Sequence, residues 1–140
     1  MSPEQIVDIY TLSAYRFERA NQELITTKLL IKSNSYLAAN NRAYYAIFHA
    51  IRSVLALDNV DYKKHSAVIG HFNKNYIATN IFDKKYGEII KNTFKIRQSS
   101  DYEDFYVIDK NKTEELVINA ESFLQEVKKY LEAKQVILNY

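Results

Sequence analysis

The chain has 140 residues, 47% hydrophobic and 26% charged, with two glycines, one proline and a formal net charge of +2. That length suffices for a hydrophobic core, and the composition excludes a disordered chain while leaving little material for turns, so one domain of long helices over residues 1–140 is expected. The absence of cysteine excludes a disulfide framework, a thiolate metal centre and a cysteine nucleophile, and fits a reducing compartment such as the cytoplasm.

Ser2, with Pro3 behind it and Gln5 three residues on, is a helix start: a hydroxyl cap, a proline where no N–H is needed, and a capping-box acceptor. Met1 to Gln5 also lacks a basic start followed by an apolar run, and no stretch approaches roughly 18 apolar residues, so neither an export signal nor a membrane anchor is expected. Ile6, Ile9, Tyr10, Ser13, Phe17, Ala20, Leu24 and Thr27 recur at intervals of three and four, with Leu30 and Ile31 closing the stripe before Lys32-Ser33-Asn34-Ser35. This predicts one long amphipathic helix. A second, from about Tyr36 to Leu57, carries Leu37, Tyr44, Phe48, Ile51 and Leu55 in a narrow arc that forms its core face. Asp58 to Asp61 is a polar connection, and Lys64 to Tyr76 a third helix with Val68, Ile69 and Phe72 buried.

The fourth helix is expected from near Lys84 to Ser99, with Tyr86, Ile89, Ile90 and Phe94 inward and Gly87 lowering its stability. Ser99 to Lys112 lacks a sustained period, and its Tyr102, Phe105, Tyr106, Val107 and Ile108 are expected to pack a loop onto the helices. Thr113, followed by Glu114 and Glu115, opens the last helix, whose apolar stripe is Leu116, Ala120, Phe123, Leu124, Val127 and Leu131. The expected fold is all-α, an antiparallel up-and-down bundle of four to five helices.

Charge is uneven along the chain: residues 62–97 hold eight basic and two acidic side chains, residues 98–140 five basic and nine acidic. Such clusters either pair with each other or mark an anionic partner for the middle segment. There is no phosphate-cradling glycine loop, metalloprotease histidine pair, calcium loop or serine elbow. His49, His65 and His71 are too scattered to define a metal site, and none is expected. Opposite the core arc of the second helix, Arg42, Tyr45, His49 and Arg52 share one face, which is either solvated, a contact for a partner helix or a second copy, or a phosphate or nucleotide site.

The segment from Ala38 to Ala50, with Arg42-Ala43-Tyr44-Tyr45-Ala46 at its centre, resembles the HEPN superfamily, the higher eukaryote and prokaryote nucleotide-binding helical domains. Two later stretches agree in order and distance: His65-Ser66-Ala67-Val68-Ile69 with Phe72, and Arg97-Gln98-Ser99-Ser100-Asp101-Tyr102, similar to the arginine-x-x-small-Asp-Tyr signature of a small prokaryotic branch. The resemblance covers nearly the whole chain. It implies a dimeric helical bundle, often encoded beside a small nucleotidyltransferase, with roles in toxin–antitoxin pairs or phage defence.

Many members of that superfamily are metal-independent endoribonucleases whose motif is an arginine, four to six residues, then a histidine. Arg97 matches the arginine, but Tyr102 stands where a histidine would complete the shortest form. An unperturbed tyrosine titrates near 10 and a histidine near 6.5, so Tyr102 is a poor base at neutral pH. Arg42 and His49 also satisfy the loose spacing, but they lie outside the motif position and are read as a chance match. The resemblance therefore implies either an RNA-cleaving toxin with Arg97, Asp101 and Tyr102 at an altered site, or a non-catalytic module that binds a nucleotide or docks a nucleotidyltransferase. On the first reading the two Arg97 side chains meet across a dimer, with Lys95, Lys91, Lys63 and Lys64 nearby, to form a basic cleft for RNA phosphate beside which Tyr102 and Tyr106 offer stacking surfaces. By position, Tyr102 and Tyr106 are candidates for modification by the partner. Arg97 and Asp101 also form, on the bland reading, only an ion pair across one helical turn.

Overall fold

Five α-helices and one π-helical turn succeed one another in the computed structural model, which describes residues 2–102 and 107–139, with the backbone alone for 4–7 and 102. They are α1 (Pro3–Lys32), α2 (Tyr36–Leu57), α3 (His65–Phe72), the π turn (Asn73–Ile77), α4 (Lys84–Tyr102) and α5 (Lys110–Ala133). No strand occurs among the described residues, and the fold is an all-α bundle.

With few glycines, the chain stops its helices on asparagine, which tolerates the left-handed backbone better than most residues. Asn34 (φ 61°) ends α1, where the Ser35 N–H donates to Leu30 O at 2.9 Å. Asn59 (φ 55°) does the same after α2, with the Val60 N–H donating to Leu55 O at 3.3 Å. Neither glycine has a positive φ. Gly87 serves packing instead, because a Cβ there would lie 3.1 Å from Ile77 Cγ2.

Helix α2 is the centre of the bundle, packed by α1, α5, α4 and α3. Ala39, Ala43, Ala46 and Ala50 are fully buried and let neighbouring backbones come close, while Tyr44, Phe48, Ile51 and Leu55 fill the core with Phe17, Leu24, Phe72, Ile90, Phe123 and Leu131. Phe72, Tyr76, Phe82, Phe123 and Tyr130 form an aromatic cluster with neighbouring centroids 5.3 to 6.3 Å apart, joining α3 and the π turn to α5.

Several expectations are corrected. Leu37 lies on the Tyr44 arc but is 45% exposed, whereas Ala39, in the same first turn of α2, is fully buried. The arc through Arg42, Tyr45, His49 and Arg52 is not a solvated face. Helix α1 packs along it, so that Arg42 pairs with Glu23, Arg16 Nη1 donates to Arg52 O, and His49 is only 7% exposed. The third helix stops being α-helical at Phe72, where the Ala78 N–H reaches Asn73 O at 2.8 Å in a π turn that directs Tyr76 and Ile77 inward.

Helix α4 continues to Tyr102 rather than Ser99. Helix α5 opens three residues before Thr113: Asp109 is the cap and accepts from the Lys112 N–H at 2.7 Å. Thr113 is buried, where its hydroxyl accepts from Asn40 Nδ2 at 2.6 Å. Val107 is 86% exposed rather than packed, and Phe105 and Tyr106 lie outside the described residues. No described helix is long and apolar enough to cross a membrane.

Candidate functional site

Tyr44 and Tyr45 are consecutive on α2, so their rings leave the helix about 100° apart, one into the core and one to its rim. They meet edge to face at 5.1 Å. Arg97 reaches across from α4 into the angle between them, its Cζ 4.9 Å from the Tyr44 centroid and 5.3 Å from that of Tyr45. Its Nη2 donates to the Tyr45 hydroxyl at 3.0 Å and lies 3.6 Å from Asp101 one turn on. Arg42 covers the Tyr45 ring at 4.9 Å, so a single phenol carries two guanidinium groups.

His65 enters this cluster from the first position of α3. Its ring stacks on Phe48 at 4.0 Å, its Nδ1 is 2.8 Å from the Tyr44 hydroxyl, and it stands edge-on to Tyr45 at 6.1 Å. Ser100 Oγ donates to Asn41 Oδ1 at 3.3 Å and holds α4 against α2 beside the site. Three helices thus bring an arginine and a histidine, 32 residues apart in sequence, onto one tyrosine pair.

The chemistry of the cluster follows from its partial burial. Both polar contacts of Arg97 use Nη2, and among the described residues Nε and Nη1 have no protein acceptor, while the side chain is 25% exposed. A guanidinium held this way offers a planar pair of donors matched to a phosphate or carboxylate. Burial, then Arg97 and Arg52, lowers the pKa of His65 from its ordinary value, so the imidazole is neutral near pH 7. Burial raises the Tyr44 phenol, which stays protonated.

Of the residues singled out from sequence, Arg97, Asp101, Arg42 and Tyr45 come together. His49 lies one turn beyond, its ring 6.1 Å from Tyr45. Burial first, then Arg19, Arg52, Arg42 and Arg16, push its pKa down to about 4, and its Nδ1 is buried without a hydrogen-bond partner. Lys63 and Lys64 are exposed just before His65. Lys91 and Lys95 are turned elsewhere, which corrects their expected place beside Arg97. Lys95 lines a cavity of about 480 Å³ between α4 and α5, and Lys91 a groove of about 470 Å³ with Ile69, Ile77 and Phe94. The helical period explains this, since residues two and six places before Arg97 lie on other sides of α4. Tyr102 belongs to α4 by its backbone, and Tyr106 is outside the described residues.

His65 is the member of the cluster that sequence reasoning left out of the site. The signal was present, because His65 opens one of the stretches that resemble the HEPN superfamily, but nothing in the spacing linked it to Arg97. Among the described residues no three His, Asp or Glu side chains are grouped to hold a metal ion.

Comparison with known proteins identifies the family. Residues 13–130 match the model of the HEPN domain. Two candidate toxins of Methanocaldococcus jannaschii are similar to the chain: one is 33% identical over 120 residues, covering 86% of this chain and 82% of the relative, the other 34% identical over 117 residues, covering 81% and 84%. A Thermotoga maritima protein bearing the name UPF0332 is 30% identical over 118 residues, 84% of this chain and 89% of its own. With the family match spanning most of its length and relatives aligned over most of theirs, the chain belongs to the HEPN domain family.

Proposed function

We propose that this protein is an RNA-acting member of a toxin–antitoxin or defence module, a metal-independent endoribonuclease in which Arg97 holds the scissile phosphate. The observation that carries this reading is the mounting of Arg97: two tyrosine rings and the Tyr45 hydroxyl hold the guanidinium through one nitrogen, and among the described residues its other donors have no protein acceptor. Asp101 pairs with it one turn on, and Arg42, itself paired with Glu23, adds a second cation over the Tyr45 ring. Phosphate contacts of this kind supply affinity without sequence choice, and the RNA's own 2′-hydroxyl supplies the nucleophile. The toxin names of the two archaeal relatives support the same class of activity.

The test is cleavage of a mixed RNA pool by the purified protein in the presence of a chelator, beside Arg97→Ala. Cleavage and RNA binding are expected for the wild type, with binding weakened at least tenfold in the variant, about 1.4 kcal/mol or more. RNA binding of equal strength in both proteins would overturn Arg97 as the anchor.

The apolar outward side of α1 favours a protein partner alongside this activity. Leu12, Tyr15, Ile25 and Leu29 are all exposed there. We assign this side to a second copy of the chain, with a nucleotidyltransferase-type protein as the rival occupant.

A further inference from the structure

We infer that His65, from α3, is the proton-transfer residue of this site, taking the role left vacant where Tyr102 replaces the motif histidine. The inference rests on the RNA-cleaving reading above and adds to it the residue that moves the proton. Three observations fix the imidazole as a usable base. Phe48 holds its ring at 4.0 Å in a near-parallel stack, so the ring plane is set. The Tyr44 hydroxyl engages Nδ1 at 2.8 Å, and among the described residues nothing engages Nε2. The ring shares its neighbours, Tyr44 and Tyr45, with Arg97, so a phosphate on Arg97 lies beside it.

In the tautomer that gives Nδ1–H to the Tyr44 oxygen, the one this role requires, Nε2 is bare and accepts a proton. The same hydrogen bond persists in the imidazolium, so Tyr44 is a positioning residue that fits both states without moving. The step balances as follows. Nε2 takes the 2′-hydroxyl proton, the 2′-oxygen bonds to phosphorus, and the bond from phosphorus to the 5′-oxygen breaks. The leaving oxygen gains a proton from water and His65 returns its own to solvent. The products are a 2′,3′-cyclic phosphate and a 5′-hydroxyl. Arg97 neutralises the charge that gathers on the non-bridging oxygens.

The groups that face His65 are Tyr44, Tyr45, Phe48 and Arg52 of α2 and Arg97 of α4. Both cations and the start of α3 disfavour a charged imidazole, so the free base persists below the pH at which an ordinary histidine would be protonated.

The experiment is a pH–rate profile for cleavage of a short RNA, with the ends identified and binding followed separately by fluorescence anisotropy. Two variants are compared: His65→Gln keeps a polar side chain, and His65→Phe keeps the stack on Phe48, so one is expected to fold if the other does not. Wild-type cleavage is expected to lose rate with falling pH below 6.5 and to leave cyclic phosphate ends. Both variants are expected to bind RNA within about twofold of wild type and to cleave about 10²- to 10⁴-fold more slowly, with the acid limb gone. Cleavage within threefold of wild type by either folded variant, or an unaltered acid limb, would overturn the role of His65 and leave the RNA reading standing. Arg97-dependent RNA binding without cleavage by wild type would overturn both the role of His65 and the cleaving activity, and leave Arg97 as an RNA-binding anchor alone. No Arg97-dependent binding would remove the RNA reading itself.

Discussion

Two histidines whose rings lie 6.1 Å from that of Tyr45 are tuned in the same direction by different surroundings. His65 has its Nδ1 bonded, whereas His49 is buried among four arginines with no described residue bonded to its Nδ1. Protonating His49 would add a fifth positive charge on a side chain that is only 7% exposed. In the unfolded chain it takes its proton near 6.5, in the folded protein near 4. Between those values the unfolded state binds more protons, so stability rises with pH: this contribution is complete above 6.5 and is lost as pH falls toward 4, by at most about 3 kcal/mol. His49→Leu removes both the titration and the unpaired nitrogen. Urea unfolding is expected to show the variant gaining stability over wild type at pH 5 relative to pH 7.5; an identical pH dependence in both would show that His49 does not titrate in this window. Neither burial state was legible from sequence, because His49 and Arg42 lie on the polar arc of α2 and only the packing of α1 over that arc shows that it is covered.

At the scale of helices, the stripes of α1, α2 and α5 and the break at Asn34 were legible, since apolar spacing and polar turn residues carry them directly. The start of α5 was not, because Thr113 has the chemistry of a cap but its hydroxyl faces Asn40 across 73 positions, a contact no local pattern reveals. Asp109 does the capping, with its carboxylate on the Lys112 N–H. Asp109→Ala is therefore expected to destabilise the protein by about 1 kcal/mol in chemical denaturation, and a change below about 0.3 kcal/mol would count against Asp109 as the cap. The ion pair of Arg97 with Asp101 follows from the helical period, whereas the bond from Arg97 to Tyr45 spans 52 positions and is fixed only by the way α4 crosses α2. Local rules gave half of the site's arginine environment; topology supplied the rest.

For the whole molecule, the exposed apolar residues of α1 set an expectation about assembly. A face bearing Leu12, Tyr15, Ile25 and Leu29 favours association over solution in isolation. Sedimentation at high micromolar concentration is expected to give twice the chain mass of 16.4 kDa, and Ile25→Glu with Leu29→Lys to return one chain mass with an unchanged helical circular dichroism spectrum. A wild-type protein sedimenting at one chain mass would leave this face to a different partner.

The site draws on α2, α3 and α4, and this has a consequence in time. Chains are made from the N-terminal end, and a domain folds as a unit. A nascent chain displays Tyr44, Tyr45 and His65 before Arg97 has been added, and α5, which packs beside α2 and closes the core, comes later still. On the proposed RNA-cleaving reading, the site is therefore incomplete until α4 has been made and has docked on α2.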